Sequence, residues 1–439
     1  MSILFFVAYI VMMSIMIILE RDKPKNIIIW SVFFLLTSIL GYIAYIVIRN
    51  LSYKKSVSLT VKLKEDEIYD NLISSSLSEN HATTDSETLN FNSLAFHTHI
   101  TANNNYEIFH DHQELKLALI EDLKKAKKYV IFEVTKINSK DFEEIKSTLI
   151  NLAKSDVEIR LVYDNNISRK LIKELRSENI RVYKFSKNNS VGSVYANLRN
   201  AVTIDGETIY IANFNISKKQ LKSNDPVAST YLKIKGDIVQ DINVQIHKDT
   251  IFASGKFIPY EKHAEPNYKN NCMIQYVANQ ANTDLELAII KAICMAKKSI
   301  QLELSKFIPT ESIMSLLRFA INSNIDVRLM VPLKTDTNEK YYASRAYAKE
   351  LALYGANVYL FDGYINFNAI TIDDEFVVFG SYIIDREHLN TSPQSMLFIK
   401  DNKAVKNFNN MFNNGIENSY RINNAKFLLL REKFFKNFV

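Results

Sequence analysis

The sequence predicts an α/β protein in which a pair of apolar N-terminal helices precedes two tandem α/β/α halves. Three observations carry this expectation. The stretch Asn200 to Glu207, NAVTIDGE, recurs at Asn368 to Glu375 as NAITIDDE. Strand-like and helix-like segments alternate through both halves, as they do where helices cover a sheet. Two long runs without a charge, Ser2 to Leu19 and Ile27 to Ile48, open the chain.

The repeat extends beyond one stretch. At nearly the same separation, Ile159-Arg160-Leu161 matches Val327-Arg328-Leu329, and Ala126-Lys127-Lys128 with Glu133 matches Ala296-Lys297-Lys298 with Glu303. Correspondences in chain order at almost one offset mark a tandem duplication. The halves are assigned to residues 106–265 and 266–439, behind a helical hairpin at 1–50 and a basic, Ser/Asn-rich linker at 51–105.

The 439 residues suffice for two or three domains with an ample core. Lys plus Arg exceed Asp plus Glu only 54 to 48, which gives no case for a nucleic-acid partner. The cysteines Cys272 and Cys294 make no disulfide framework and suit a reduced setting. Glycine is scarce, 9 residues, where ordinary usage gives roughly 30.

Crossing a bilayer takes about 20 apolar residues, so both opening runs are expected to be transmembrane helices joined by the turn Glu20 to Asn26. A cleavable signal peptide fits the first run less well, because no basic segment precedes it and no small-x-small site follows. The turn carries Arg21, Lys23 and Lys25, whereas Arg49, Lys54, Lys55, Lys62 and Lys64 follow the second run. That excess predicts a multi-pass protein of the cell membrane with its later domains on the cytoplasmic side. The same lysines lie where anionic headgroups attract them.

From Ser56 to about Asn105 periodicity is weak, and Ser74 to Asn92 is rich in Ser, Thr, Asn and Glu, which reads as a partly flexible linker. Helices are then expected at Gln113–Lys128, Phe142–Lys154 and Ser168–Ser177, alternating with strands at Tyr129–Val134, Val157–Tyr163 and Ile180–Phe185. The second half repeats the order. Its helices are Leu285–Lys298, Thr310–Asn322 and Tyr341–Tyr354, and its strands Ile300–Leu304, Ile325–Val331 and Asn357–Phe361. This alternation predicts a mainly parallel sheet with helices on both faces. The repeated element reads as a strand, an acidic turn and a second strand. From Ala404 an amphipathic helix leads to a basic aromatic tail, with Arg431, Lys433 and Lys436 among Phe434, Phe435 and Phe438. Such a tail packs on its own domain or touches a membrane.

The doubled element resembles the HxKxxxxD signature of the phospholipase D superfamily, in which each half contributes one copy. The hairpin, with a Pro in its turn, Trp30, Gly41 and Arg49-Asn50, resembles that of bacterial cardiolipin synthases. Such enzymes join this hairpin to two phospholipase D halves, which implies a pseudo-twofold arrangement here. The family's Asp falls on Asp205 and Asp373, its His on Leu198 and Asn366, and its Lys on Asn200 and Asn368.

The resemblance implies a two-step phosphodiester transfer. One His attacks phosphorus, the other protonates the leaving alcohol, and the Lys pair stabilises the phosphoryl oxygens. The aspartates would orient the imidazoles. Leu198 has neither a lone pair nor a proton to exchange, and the Asn amides neither attack phosphorus nor relay protons. Supporting positions differ too. Ala212-Asn213 stands for paired glycines, Ile383 for an Asn, and Ser305-Lys306-Phe307-Ile308-Pro309 for a Thr-Pro-Tyr-Phe-x-Pro stretch. Asn215 and Ser381 match as substrate-binding positions.

No cofactor or metal is expected. His97 with His99 and His110 with His112 have the spacing of one strand face, but without a third ligand they read as loop histidines. His388 likewise reads as a loop residue. The expectation is a membrane-anchored, cardiolipin-synthase-like pseudoenzyme of phospholipid metabolism. Its partners would be membrane phospholipids and either an active synthase or itself. Its cleft, lysine-free and flanked by Asp205 and Asp373, would bind phosphodiesters weakly. The alternatives are an active phosphatidyltransferase or phosphodiesterase using other groups, and an interaction protein whose old site has no role.

Overall fold

The computed structural model describes residues 2–19, 24–37, 40–47, 82–137, 142–164, 167–186, 197–211, 225–256, 258, 272–278, 284–335, 338–385, 389, 392–422 and 430–438. It forms two compact units, Met1–Leu72 with Leu428–Val439, and Ile73–Phe427.

In the smaller unit the apolar runs are helical over Ser2–Leu19, Pro24–Thr37 and residues 40–47. Met16, Phe34 and Tyr45 are buried together, and the Trp30 ring meets Tyr45 edge-on at 5.0 Å. Among the described residues no helix is long and apolar enough to cross a membrane. Both apolar runs are thus helical where described, while the expected transmembrane hairpin does not follow from the structure. The basic residues Arg21, Lys23, Arg49, Lys54, Lys55, Lys62 and Lys64 lie outside the described residues.

The larger unit is organised on one fifteen-stranded sheet. The first half supplies β1 (Ile100–Phe109), β2 (Tyr129–Val134), β3 (Glu158–Tyr163), β4 (Arg181–Lys184), β5 (Ala201–Ile204), β6 (Thr208–Ile211) and β8 (Tyr231–Gly236), while β7 (Val227–Ala228) stands apart. The second supplies β9 (Cys272–Ala278), β10 (Ser299–Leu304), β12 (Asp326–Pro332), β13 (Asn357–Phe361), β15 (Asn368–Ile372), β16 (Phe376–Gly380), β18 (Ser395–Lys400) and β19 (Ser419–Arg421). The short strands β11 (Phe307–Ile308), β14 (Tyr364–Ile365) and β17 (Ile384–Asp385) make small side pairings. Strand order is β4-β3-β2-β5-β6-β8-β1 in one half and β13-β12-β10-β15-β16-β18-β9 in the other. The halves thus repeat strand for strand and join where β1 pairs with β9.

The sheet is mixed rather than mainly parallel. Parallel pairing is confined within it to β2–β3–β4 and β10–β12–β13, where helices make the crossovers. The repeated element forms tight hairpins, β5–β6 and β15–β16, and these can only be antiparallel. Helices His112–Leu123, Glu143–Lys154 and Arg169–Ser177 cover one face of the first half. Helices Ile238–Ser254 and Asn402–Glu417 cover the other face, over a core shared by both halves.

Part of the expected linker is folded. Helix Glu87–Phe96 lies within it and strand β1 begins in it and runs on into the first half, and β1 sits at the seam between the halves. Its sequence, ITANNNYEIF, hides a strand because Asn side chains do internal work there. Asn104 Nδ2 donates to Thr101 O and to Cys272 O across the seam, at 3.1 and 3.0 Å. The helix is fastened by Gln275 of β9, whose Nε2 donates to Leu89 O at 3.0 Å and Ser93 Oγ at 2.9 Å.

Candidate functional site

In open α/β sheets, ligands bind where parallel strands end and the chain switches direction. Here β2 has parallel β3 on one side and antiparallel β5 on the other, and β10 sits likewise between β12 and β15. The segments carrying the motif, Asn197–Asn200 and Asn366–Asn368, enter β5 and β15 at this edge. Each is tied to the opposite half. Leu198 N–H donates to Pro393 O at 2.9 Å, and Asn366 N–H donates to Ala228 O at 2.9 Å. Beside the second contact, β7 and β14 pair in parallel. Gly363 is needed here, since a Cβ would lie 2.1 Å from Pro226 O.

The two motif Asn residues at the Lys positions are structural acceptors. Asn200 Oδ1 accepts from Thr135 N–H at 2.9 Å and from its hydroxyl at 3.1 Å. Asn368 Oδ1 accepts from Ser305 N–H and its hydroxyl, both at 2.9 Å. Each therefore holds the chain just past the end of β2 or β10. Asn200 also adopts a left-handed φ of 47°, which Asn tolerates better than most residues. Leu198 is half-buried, whereas Asn366 is buried.

Asp205 and Asp373 do not serve the site. Asp205 lies five residues beyond Asn200, at the other end of β5, roughly 15 Å away at strand rise. Its carboxylate accepts from the N–H groups of Lys127, Lys128 and Tyr129 at 2.7, 2.8 and 2.9 Å. Asp373 accepts from Lys297, Lys298 and Ser299 at 2.5, 2.6 and 2.8 Å. Both also shape their hairpins. Asp205 and Gly206 have φ of 53° and 71°, and Asp373 and Asp374 have 53° and 55°, as a primed turn requires. This corrects the imidazole-orienting role, and with it the expectation that these two carboxylates repel phosphate. It also explains why the first long helix stops at Leu123 instead of Lys128.

Other sequence expectations fare variously. Asn215, Ala212, Asn213 and His388 lie outside the described residues. Ser381 Oγ accepts Ser395 N–H at 3.3 Å, and Ile383 N–H donates to Gln394 Oε1 at 2.6 Å, so both are engaged in joining β16 to β18. The histidine pairs flank β1 rather than lying in it. His99 Nδ1 is 3.5 Å from Asp241 Oδ1, and His112 opens a helix. Among the described residues no group of His, Cys, Asp or Glu is arranged to hold a metal.

A buried polar cluster behind the first motif was not anticipated. Arg199, 2% exposed, pairs with Asp249 of helix Ile238–Ser254. Asn197 donates its side-chain amide to Glu133 and its backbone N–H to Asp164 at 2.5 Å. Gln245 Nε2 donates to Asp249 Oδ1 at 3.1 Å. Burial, then the nearby Asp249 charge, pushes the Glu133 carboxyl well above its usual range. The sequence signal was the repeated pair Glu133 and Glu303, which marked the duplication without revealing its burial.

A cavity of about 320 Å³ borders the Pro226–Tyr364 contact, and no motif residue lines it. Its lining includes Asp225, Asp362 and Glu417 against one lysine, Lys334, which is paired with Asp225. The motif positions themselves offer hydrogen bonds and no nucleophile.

Comparison with known proteins gives a consistent pattern. The family described as cardiolipin synthase, PLD-like domain, matches residues 119–249 and 289–416, more than half of the chain. The major cardiolipin synthase ClsA of Bacillus subtilis is 29% identical over 437 residues, covering 92% of this chain and 89% of that protein. A cardiolipin synthase of Oceanobacillus iheyensis is 27% identical, covering 94% and 92%. Among solved structures, phosphatidylserine synthase of Haemophilus influenzae superimposes with a TM-score of 0.60 at 11% identity, over 80% of this chain and 97% of that one. That likeness speaks to the fold alone.

Proposed function

The chain belongs to the cardiolipin synthase family with phospholipase D-like domains, and from that premise we propose a membrane-anchored member that has lost the transfer chemistry. It acts through its fold, by contact with membrane phospholipid and by association with an active synthase. The observation carrying this reading is the replacement of all four His and Lys motif positions by Leu198, Asn200, Asn366 and Asn368. Two of these amides are committed to holding Thr135 and Ser305. Loss of the nucleophile removes the covalent route, and loss of a general acid alone costs about 10²–10⁴ in rate.

Anchoring rests on the N-terminal hairpin, whose outer surface is apolar. Leu35, Leu36 and Leu40 are 74%, 79% and 75% exposed, which suits lipid and not water. The basic residues after the hairpin support a cytoplasmic position for the later domains.

Purified protein in phosphatidylglycerol vesicles tests the reading. It is expected to form no cardiolipin above background and to leave no covalent phosphoryl adduct after acid quench. Appearance of either would replace this proposal with an active transferase that uses other groups.

A further inference from the structure

The C-terminal helix Leu430–Phe438 belongs to the compact unit of the N-terminal helices and packs against Pro24–Thr37. Its orientation is the reverse of what water favours. Glu432 is fully buried, whereas Phe434 is 56% exposed. At about 100° per residue these two side chains lie on nearly opposite sides of the helix. Arg431 and Lys433, both exposed, flank the outward Phe434. An aromatic centre bordered by cations is the outer face of a helix that lies in a bilayer interface.

We propose that this helix is a second lipid-contacting element, seated at the headgroup level of an anionic bilayer with Phe434 turned into it. The helix carries Arg431, Lys433 and Lys436 against the single Glu432, which complements an anionic surface and no neutral one. Cations of this density do not enter hydrocarbon, so they hold the helix at the surface. The helix it packs against, Pro24–Thr37, also exposes apolar side chains, with Ile28, Ile29 and Val32 each about half exposed, at 47%, 52% and 51%. The inference rests on the reading of the hairpin as a lipid anchor.

The test uses the full chain with Cys294→Ser and Phe434→Cys, the new thiol carrying an apolar environment-sensitive fluorophore. Cys272 is buried and stays unlabelled. In phosphatidylglycerol–phosphatidylcholine vesicles the emission should shift to the blue and be quenched by lipid-borne nitroxide. The quenching should weaken in pure phosphatidylcholine, and after Arg431→Gln, Lys433→Gln and Lys436→Gln together. A fluorophore at Lys127, exposed on the larger unit, should stay water-like. If the chain floats with vesicles but position 434 is unquenched, this proposal falls while the hairpin anchor stands. If the chain does not float, both fall. A blue shift that appears without vesicles and grows with protein concentration would assign the face to a second copy and overturn the lipid assignment.

Discussion

The two halves bury the same glutamate and treat it differently. Glu133 of β2 and Glu303 of β10 occupy equivalent strands, 2% and 3% exposed. In the first half Asn197 donates to Glu133, and the adjacent Arg199–Asp249 pair lies in the same cluster. In the second, the positions matching Asn197 and Arg199 are Ile365 and Phe367, both buried in the shared apolar core. Glu303 therefore has no hydrogen-bond partner among the described residues, and burial alone pushes its carboxyl up to about 8. One half kept an ionic solution to a buried acid; the other surrounded it with hydrocarbon and left it neutral at pH 7.

The largest effect should come from breaking the ionic side. Arg199→Met leaves Asp249 charged and buried, and should cost about 3–5 kcal/mol of unfolding free energy by denaturant titration. Pairing it with Asp249→Leu should restore much of the loss. Additive losses in the double variant would show that the pair is not the hub of the first half.

Next is the neutral side. Glu303 is protonated when folded but would ionise near 4.5 when unfolded. Its raised value means that stability is complete below about 4.5 and is lost progressively as pH climbs through about 8. At pH 7 the deficit is about 3 kcal/mol. Glu303→Gln should flatten this slope and stabilise the protein at neutral pH. Unfolding curves across that range decide it, and an unchanged slope would mean the carboxyl has found a charge partner.

The aspartate clamps should behave alike despite these differences. Asp205→Ala and Asp373→Ala each strand three backbone donors, and each should cost about 2 kcal/mol. A large inequality between them would show that the hairpins are not equivalent.

The smallest contrast concerns the motif amides. Lysine has no acceptor, so Asn200→Lys deprives the buried Thr135 of its partner, at about 1–2 kcal/mol. Asn368→Lys should cost somewhat less, because its backbone does not need a left-handed φ. Restoring the four motif residues together should therefore lower the melting temperature rather than be silent, and cardiolipin formation should stay at background. A silent quadruple variant would place the motif side chains elsewhere.

Much of the architecture was legible because a duplication writes itself twice. NAVTIDGE and NAITIDDE fixed the paired hairpins, and the flanking repeats fixed which strands correspond. The seam was not legible, since Asn103 and Asn104 make β1 look like a polar linker until its partner β9 is known. At the motif the sequence showed directly which side chains, Leu198, Asn200, Asn366 and Asn368, stand at the His and Lys positions. It was misread at Asp205 and Asp373, because a sequence gives the order of residues along a strand and not which end of it faces a cleft. Arg199 passed unnoticed between Leu198 and Asn200, since nothing local announces that its charge is answered by Asp249 some fifty residues later.

The clamp made by Asp205 has a bearing on how such chains are inherited. Its three hydrogen bonds secure a turn that the fold needs whether or not any phosphodiester is ever cut. Selection for a folded protein would keep this letter of the signature long after selection for turnover has lapsed, while the histidines and lysines, which the scaffold does not need, are free to drift. Survival of the aspartate in a genome is then a record of ancestry, and counting it as a vote for enzymatic activity would enrol silent relatives among the working synthases.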